Sequence, residues 1–317
     1  MKIIKIIIKK FCIIFDLLIF PFCLLAGIIF KIYRNLGVSN LSLTTGLLKW
    51  LEIFPIRNHY YEPQFIHDNV NFNKKKNIKI NLDSANKLIK KFKFSHELEK
   101  MNLEKKKSRF GFLINNGFFE RGDFEFLYQF IRLSNPKKII EIGSGYSSII
   151  AYEAITKNFE TKKNSCKMTC IDPGNINQLK TLKKIQFYKK KIEKVDIKIF
   201  KELNKNDLLI IDTTHVIKPS GDVLKIYNEI MPILKEGVNI MIHDIYLPYE
   251  YPKDLLNKQV LFWNEQYLLE NLLNSKRYKI LASLYYLMKN NYKQLKEVCS
   301  YLKFSSRPCS FYIKKIQ

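Results

Sequence analysis

The chain has 317 residues, with 54 Lys and Arg against 29 Asp and Glu, and a formal net charge of +25 at pH 7. Its 47% hydrophobic content is enough for a sizeable core and excludes global disorder. The basic balance invites an anionic partner, but the lysine runs at 74–76, 105–107 and 189–191 are dispersed, Ile and Asn are abundant alongside them, and no nucleic-acid module accompanies them, so no nucleic-acid partner is expected.

From the N-terminus, Lys2, Lys5, Lys9 and Lys10 precede an apolar stretch from Phe11 to Phe30, broken only by Asp16, Pro21 and Gly27. Its length matches the roughly 20 residues that cross a bilayer core. No small-residue cleavage site follows, which argues against a signal peptide. A basic N-terminus favours the cytoplasm, but a single span of that orientation would put the rest of the chain outside, and a span with the N-terminus outside is the second option. The reading adopted is therefore a peripheral, re-entrant or single-anchor segment on the cytoplasmic side of a membrane, with Pro21 as the bend and Asp16 held shallow. Leu41 to Phe54 repeats an apolar face at helical spacing, with Trp50 suited to a headgroup interface. Residues 1–54 thus read as a basic, apolar membrane-associating segment.

Residues 55–122 read as a helical and loop extension covering the active site. It opens on the polar-aromatic run P-I-R-N-H-Y-Y-E-P and continues through a Lys/Asn-rich loop, Asn69 to Asn81. A short helix is expected over Asp83 to Phe92, with Asp83 as its cap, and a glycine-rich turn over Asn115 to Asp123. Residues 123–317 read as the main domain. A helix from Asp123 to Leu133 ends at Asn135-Pro136. Strands follow at Lys138–Ile142, Lys167–Ile171, near Val195–Phe200, at Asp207–Ile211 and at Val238–Ile242. Helices are expected from Tyr146 to about Thr156, from about Gly221 to Leu234 and from Trp263 to Asn274. A strand near Tyr278–Leu287 and a last one at Cys309–Ile313 complete the chain. This alternation means a doubly wound α/β sheet. The six cysteines form no C-x-x-C pair and sit with no His cluster, which fits a reducing compartment.

The stretch E-I-G-S-G-Y-S-S, Glu141 to Ser148, reads as a buried strand, a glycine turn and a helix start. Gly143 and Gly145 permit a tight turn and close approach of a ligand. Ser144 lies in that turn, and Ser147 and Ser148 sit in the first helical turn, where free N–H groups gather. The third glycine of the dinucleotide fingerprint is replaced by Ser148, which disfavours a nicotinamide cofactor. Glu141 suits a ligand ammonium. Asp172, at the tip of the second strand, is placed for ribose hydroxyls.

The pattern E-I-G-S-G … I-D-P resembles motifs I and II of class I S-adenosylmethionine-dependent methyltransferases. Together with I-D-T-T-H-V, I-H-D-I-Y-L-P-Y-E-Y-P and F-W-N-E-Q-Y-L-L, it is similar to a bacterial group related to the catechol O-methyltransferase-like proteins. The resemblance covers roughly Trp50 to the C-terminus. It implies a Rossmann-like seven-stranded methyltransferase sheet with helices on both faces, here preceded by the N-terminal apolar helical membrane segment, and S-adenosylmethionine held by Glu141, Gly143, Ser144, Gly145, Ser147, Ser148 and Asp172.

Strand four ends in Asp212-Thr213-Thr214-His215 and strand five in His243-Asp244. Two carboxylates and two imidazoles are therefore expected at the ligand-binding edge of the sheet. Methyl transfer needs the acceptor oxygen deprotonated or polarised. His215 or His243 can serve as base from an ordinary pKa near ~6.5, while Asp212 and Asp244 can hold Mg²⁺. Catechol-type relatives carry an Asp-Asn pair after strand five, where this chain has His243-Asp244. The aromatic run Tyr246 to Pro252, with Trp263, Asn264, Glu265 and Gln266, is expected to wall the acceptor pocket. The expected activity is O-methylation of a glycan, lipid-linked or small hydroxylated acceptor at the membrane surface. The alternative is a non-catalytic membrane-anchored binding module on the same fold, and divergent side chains at the ends of strands four and five would favour it.

Overall fold

The structure, a computed structural model, describes residues 2–317 except 60, 61, 68, 69, 175–178, 180, 181, 183 and 184, and leaves aside the side chains of residues 2–7, 9 and 10. Tyr60, Tyr61 and Asn69 of the expected loops therefore lie outside the described residues. The chain divides into two compact units, Met1–His67 and Asp68–Gln317.

In the first unit, helix α1 (Lys2–Leu36) passes through Pro21 without ending, so the segment is not split into two helices there. A proline inside a helix removes one hydrogen bond and tilts the axis. Here long runs of helix-compatible apolar residues on both sides carry the helix through it. Within it Phe11–Leu36, 26 residues, is long and apolar enough to cross a membrane. At ~1.5 Å per residue it exceeds the ~30 Å of a hydrocarbon core. Its apolar side chains are exposed around the helix, among them Ile14, Phe15, Leu17, Leu18, Phe20 and Phe22. Helix α2 (Ser42–Trp50) is tied to α1 by Tyr33, whose hydroxyl lies 2.7 Å from Thr45 Oγ1. Glu62, from the polar-aromatic run, bridges Arg34 at 2.6 Å and Arg57 at 2.9 Å.

The second unit is built on a seven-stranded sheet: β1 (Lys138–Ile142), β2 (Lys167–Ile171), β3 (Ile185–Tyr188), β4 (Leu208–Ile211), β5 (Asn239–Ile242), β6 (Tyr278–Ser283) and β7 (Phe311–Lys315), in the order β3-β2-β1-β4-β5-β7-β6. The first five strands are parallel, and β7 inserts antiparallel between β5 and β6. Residues of β1, β4 and β5 are buried almost throughout, as expected of strands covered on both faces. Strand order reverses between β1 and β4, which creates the crevice where open α/β sheets bind ligands.

Several expected boundaries move. The third strand is not Val195–Phe200. Ile197–Glu202 forms a tight helical turn instead, capped by Asp196, which accepts from the Lys198 amide at 2.9 Å, and β3 lies earlier, at the sheet edge. Ser283 ends β6 by capping a new helix, α10 (Leu284–Asn290), so the strand expected through Leu287 splits in two. Helix α3 (Leu82–Ile89) is capped by Asn81 rather than Asp83. Helix α6 (Tyr146–Lys162) runs past Thr156.

Helix α5 (Asp123–Ser134) packs along α6 and brings two acids in its first turn to the chain's end. Glu125 accepts from the Gly122 amide at 3.0 Å and the Tyr301 amide at 2.7 Å. Asp123 accepts from the amides of Cys309 and Ser310, the latter at 2.7 Å. Acids at a helix N-terminus are favoured by its dipole. Here they also anchor the loop that precedes β7.

Gly143 fixes the position of the β1 turn. It sits at φ +77°, and a Cβ there would lie 1.5 Å from the Asp212 carbonyl oxygen. Gly143→Ala combines backbone strain with this clash, for a cost of about 3 kcal/mol or more. A thermal melt should show Tm lowered by roughly 6–12 °C for a unit of this size. An unchanged Tm would mean the turn can relax away from β4.

Candidate active site

The carboxyl ends of β1, β2, β4 and β5 carry the residues singled out in the sequence. At β1 and β2, the Ser144 amide donates to Asp172 Oδ2 at 3.0 Å, and Gly174 donates to Asp172 Oδ1 at 2.6 Å. Asp172 thus ties the tip of β2 to the glycine turn while keeping part of its side chain exposed. Beside Gly145 there is open space where a Cβ would stand. Glu141, by contrast, is fully buried. Its oxygens accept from Ser147 Oγ at 2.7 Å, from Ser148 Oγ, and from Cys170 Sγ at 3.4 Å. Its carboxylate braces the first turn of α6 against β1, and a ligand ammonium would reach it only in place of those hydroxyls. Phe118, largely exposed, stacks over Tyr146 at the start of α6.

At β4 and β5 the four expected residues converge. His215 Nε2 lies 3.4 Å from Asp212 Oδ1 and 3.5 Å from Asp244 Oδ2. His243 Nδ1 lies 3.5 Å from Asp212 Oδ2 and 3.5 Å from Asp244 Oδ2. His215 and Asp244 both adopt left-handed backbone, at φ +58° and +54°. Such conformations cost about 1–3 kcal/mol in a non-glycine residue and concentrate at functional sites.

Sequence reasoning missed what holds this cluster from behind. Glu265, at the start of α9 (Glu265–Asn274), accepts from His215 Nδ1 at 2.7 Å. Asp123 Oδ2 stands 3.8 Å from His243 Nε2, and Cys309 Sγ 3.6 Å from the same nitrogen. Asp244 Oδ1 receives Cys309 Sγ at 3.2 Å and Tyr246 Oη at 3.4 Å. Glu265 and Gln266 are fully buried behind the site instead of walling the pocket; Gln266 Oε1 accepts from the Tyr246 amide and the Gln266 amide donates to Tyr251 Oη, each at 3.1 Å. Glu265 was visible as part of the F-W-N-E-Q motif. Asp123 was visible only as the end of the Asn115–Asp123 turn and the start of the helix after it, and Cys309 only as the start of the last strand.

The cluster forms the floor of a cleft of about 830 Å³. Asp212, His243, Asp244, Tyr246 and Trp263 line it, with Arg121, Lys303 and Arg307 among its other lining residues. His215 is shielded from it. Asp212 keeps 32% of its side chain exposed although protein surrounds it.

The electrostatics follow from this crowding. Burial pushes the Asp212 carboxyl up, but the flanking His243 and His215 outweigh it and hold it well below the usual range. Burial pulls His215 down, and its bonds to Asp212 and Glu265 reverse that and lift it to about 10. His243 is likewise raised, against its burial, by Cys309, Asp244 and Asp212. Both imidazoles are thus raised above the ordinary pKa expected from the sequence. Mg²⁺ does not fit here either. It takes oxygen ligands at ~2.0–2.1 Å in near-octahedral geometry, whereas imidazole nitrogens occupy the inner faces of both aspartates.

Residues 140–245 match a family described as "Methyltransferase domain". An uncharacterized protein of Archaeoglobus fulgidus is 34% identical over 98 residues, 29% of this chain and 42% of the relative, so the chain spans about two fifths of the length of the curated relative it matches. Among solved structures, a putative O-methyltransferase from Klebsiella pneumoniae aligns at TM-score 0.40 and 10% identity, over 76% of this chain and 93% of its own. An O-methyltransferase from Bacillus cereus in complex with SAH aligns at 0.38 and 10%, over 76% and 94%. These are likenesses of outline, and the fold is read from the strand order itself.

Burial lifts Glu141 from 4.5 to about 7 against the hydrogen bonds of Ser148 and Ser147. Below pH 4.5 the carboxyl is protonated in both folded and unfolded chain. Between 4.5 and about 7 only the unfolded chain releases the proton, so stability falls by about 1.4 kcal/mol per pH unit and by about 3 kcal/mol in all. Glu141→Gln should abolish this component. Denaturant unfolding at stepped pH should find the variant gaining on the native chain by about that amount from pH 4.5 to 7.5, whereas a pH-independent difference would refute the buried, raised carboxyl.

Proposed function

We propose that this chain, which carries a class I S-adenosylmethionine-dependent methyltransferase domain, transfers a methyl group from S-adenosylmethionine to an oxygen of a hydroxylated acceptor. The observation that carries the reading is the convergence of Asp212, His243 and Asp244 on one cleft beside the Gly143–Gly145 turn and Asp172. That convergence also favours catalysis over a binding module on the same fold.

In this reading Asp172 binds the ribose hydroxyls. The turn from Gly143 to Gly145 and the first turn of α6, with Ser147 and Ser148 braced by Glu141, cradle the aminoacyl end. The acceptor enters the cleft between the Trp263 and Phe118 sides. Its oxygen attacks the methyl carbon in line with the sulfonium. The C–S bond breaks and leaves S-adenosylhomocysteine, and the acceptor's proton is released to solvent through the cleft. Asp212, His243 and Asp244 face that oxygen, and His215 positions the two aspartates. The aromatic and hydroxyl-bearing lining suits a glycan, lipid-linked or small hydroxylated acceptor.

We further infer that α1 anchors the chain in a membrane. Its apolar surface runs all the way round, which suits insertion better than a helix lying flat on the surface. The supply of S-adenosylmethionine argues for the sheet unit on the cytoplasmic face, so that a spanning α1 would leave its basic N-terminus on the outer side, against the charge preference.

Isothermal titration of the full-length chain with S-adenosylmethionine and S-adenosylhomocysteine tests the cofactor. Binding is expected, and its absence from well-folded protein would refute the reading. In Asp172→Ala, loss of a hydrogen bond to a charged group at about 1.5–3 kcal/mol should weaken affinity roughly 10- to 150-fold. Unchanged affinity would remove Asp172 from the ribose.

A further inference from the structure

The geometry points to a binding site for one divalent first-row transition metal, with zinc the best match, formed by His215 Nε2, His243 Nδ1, Asp212 and Asp244. This goes beyond methyl transfer and does not depend on it.

Spacing is the first observation. The four inward contacts between imidazole nitrogen and carboxylate oxygen measure 3.4, 3.5, 3.5 and 3.5 Å, the two rings meeting the same oxygen of Asp244 and one oxygen each of Asp212. Good N–H···O hydrogen bonds lie at ~2.7–3.2 Å. Ligands about 2.0–2.2 Å from a tetrahedral metal stand roughly 3.3–3.6 Å from one another. The inner contacts match the second length. The outer contact of the same ring, His215 Nδ1 to Glu265 at 2.7 Å, matches the first. The ligand atoms of Asp212, His215 and Asp244 all lie within 4.8 Å of one another, while His243 adjoins this trio through Nδ1 and groups with Asp123 and Cys309 on its other side.

An independent sign comes from His243. Its side chain is 5% exposed, and Nδ1 is buried with no hydrogen-bond partner, although it faces Asp212 and Asp244. A buried ring nitrogen left in this state needs either a cation or a proton of its own.

The outer contacts complete the pattern. Metal-bound histidines usually give their second nitrogen to a carboxylate or carbonyl, which fixes the tautomer. Glu265 does this for His215 and places the Nε2 lone pair inward, toward two carboxylates that would repel it. Asp123 stands behind His243, and is itself held by the Cys309 and Ser310 amides. Cys309 and Tyr246 hold the outer oxygen of Asp244. Two nitrogens and two carboxylates form a borderline donor set, which selects zinc and its neighbours over Mg²⁺ or Ca²⁺. The cleft-facing side of Asp212 leaves an approach for a further ligand.

The rival account is a pair of imidazolium ions with no metal. The full-length chain, stripped with a chelator and shown folded by circular dichroism, is titrated with Co²⁺ and followed by visible absorption. The expected result is one Co²⁺ per chain with the strong d–d bands of low coordination number, no thiolate charge-transfer band, displacement by Zn²⁺ and none by Mg²⁺ in large excess. Glu265→Gln, which keeps all four ligands, should weaken Co²⁺ binding about 10- to 100-fold, and His215→Ala or His243→Ala by at least as much. Cys309→Ser should leave the bands in place. Folded protein that takes up neither Co²⁺ nor Zn²⁺ would overturn the site in favour of the imidazolium pair. Displacement of Co²⁺ by Mg²⁺, or undiminished binding in the His215→Ala/His243→Ala double variant, would overturn it as well.

Discussion

The approach of the Gly143 backbone to the Asp212 carbonyl is the constraint from which the site follows. Parallel pairing of β1 with β4 sets Ile142 beside Ile211, and the Asp212 amide continues the ladder by donating to the Ile142 carbonyl at 2.9 Å. The next residue of β1 must then turn away within the space of a backbone. Only a residue without a Cβ can do so at φ +77° with Asp212 at that distance. Because the turn is forced there, the open space at Gly145 and the carboxylate of Asp172 fall beside the tip of β4. One sheet edge thus holds both the glycine turn and the acid–imidazole cluster.

The second constraint is buried charge. Asp123, Asp212, Asp244 and Glu265 surround two imidazoles in a region largely closed to water. Such groups are costly to bury unless each finds a counter-charge and a full set of hydrogen bonds. The chain supplies the counter-charges from distant positions, while His243 Nδ1 stays without a hydrogen-bond partner. Asp123 begins α5, Glu265 begins α9, and Cys309 lies in the loop before β7. Acids at the starts of two helices are also favoured by the helix dipoles, so local and tertiary preferences agree. The result is that three separate connections are fastened at the floor of one cleft.

Much of this was legible in the residues. The apolar runs of β1, β2, β4 and β5 are buried on both faces and bounded by Gly, Asp or His, so their ends, and with them Glu141, Asp172, Asp212 and His243, could be placed almost to the residue. Less could be read where one pattern serves two structures. Val195 to Phe200 alternates like a strand, yet Asp196 captures the Lys198 amide and tightens the segment into a helical turn. Ser283 similarly ends β6 by capping a helix that continues its apolar run. Pro21 looked like a bend because local rules treat proline as a breaker, whereas the apolar helix on either side continues through it. The partners of the histidines were least legible. Asp123 and Cys309 are separated from His243 by more than sixty residues in either direction and meet it only because β7 returns antiparallel beside β5.

That return also explains how backbone strain is tolerated at the site. Left-handed conformations at His215 and Asp244 would relax if either residue were held by its own loop alone. His215 is instead pinned on both sides. Its ring meets Glu265, and its carbonyl accepts from the amides of Asn264 and Glu265 at 2.9 and 3.1 Å. Asp244 is followed by Ile245, whose amide bonds the Cys309 carbonyl at 2.9 Å, so the strand end is stapled to the segment that also carries the Cys309 thiol. The strained turns therefore belong to the packed sheet, and not to mobile loops. Helix α9 and the segment before β7 are as much a part of the acid–imidazole cluster as the strand ends whose side chains they hold.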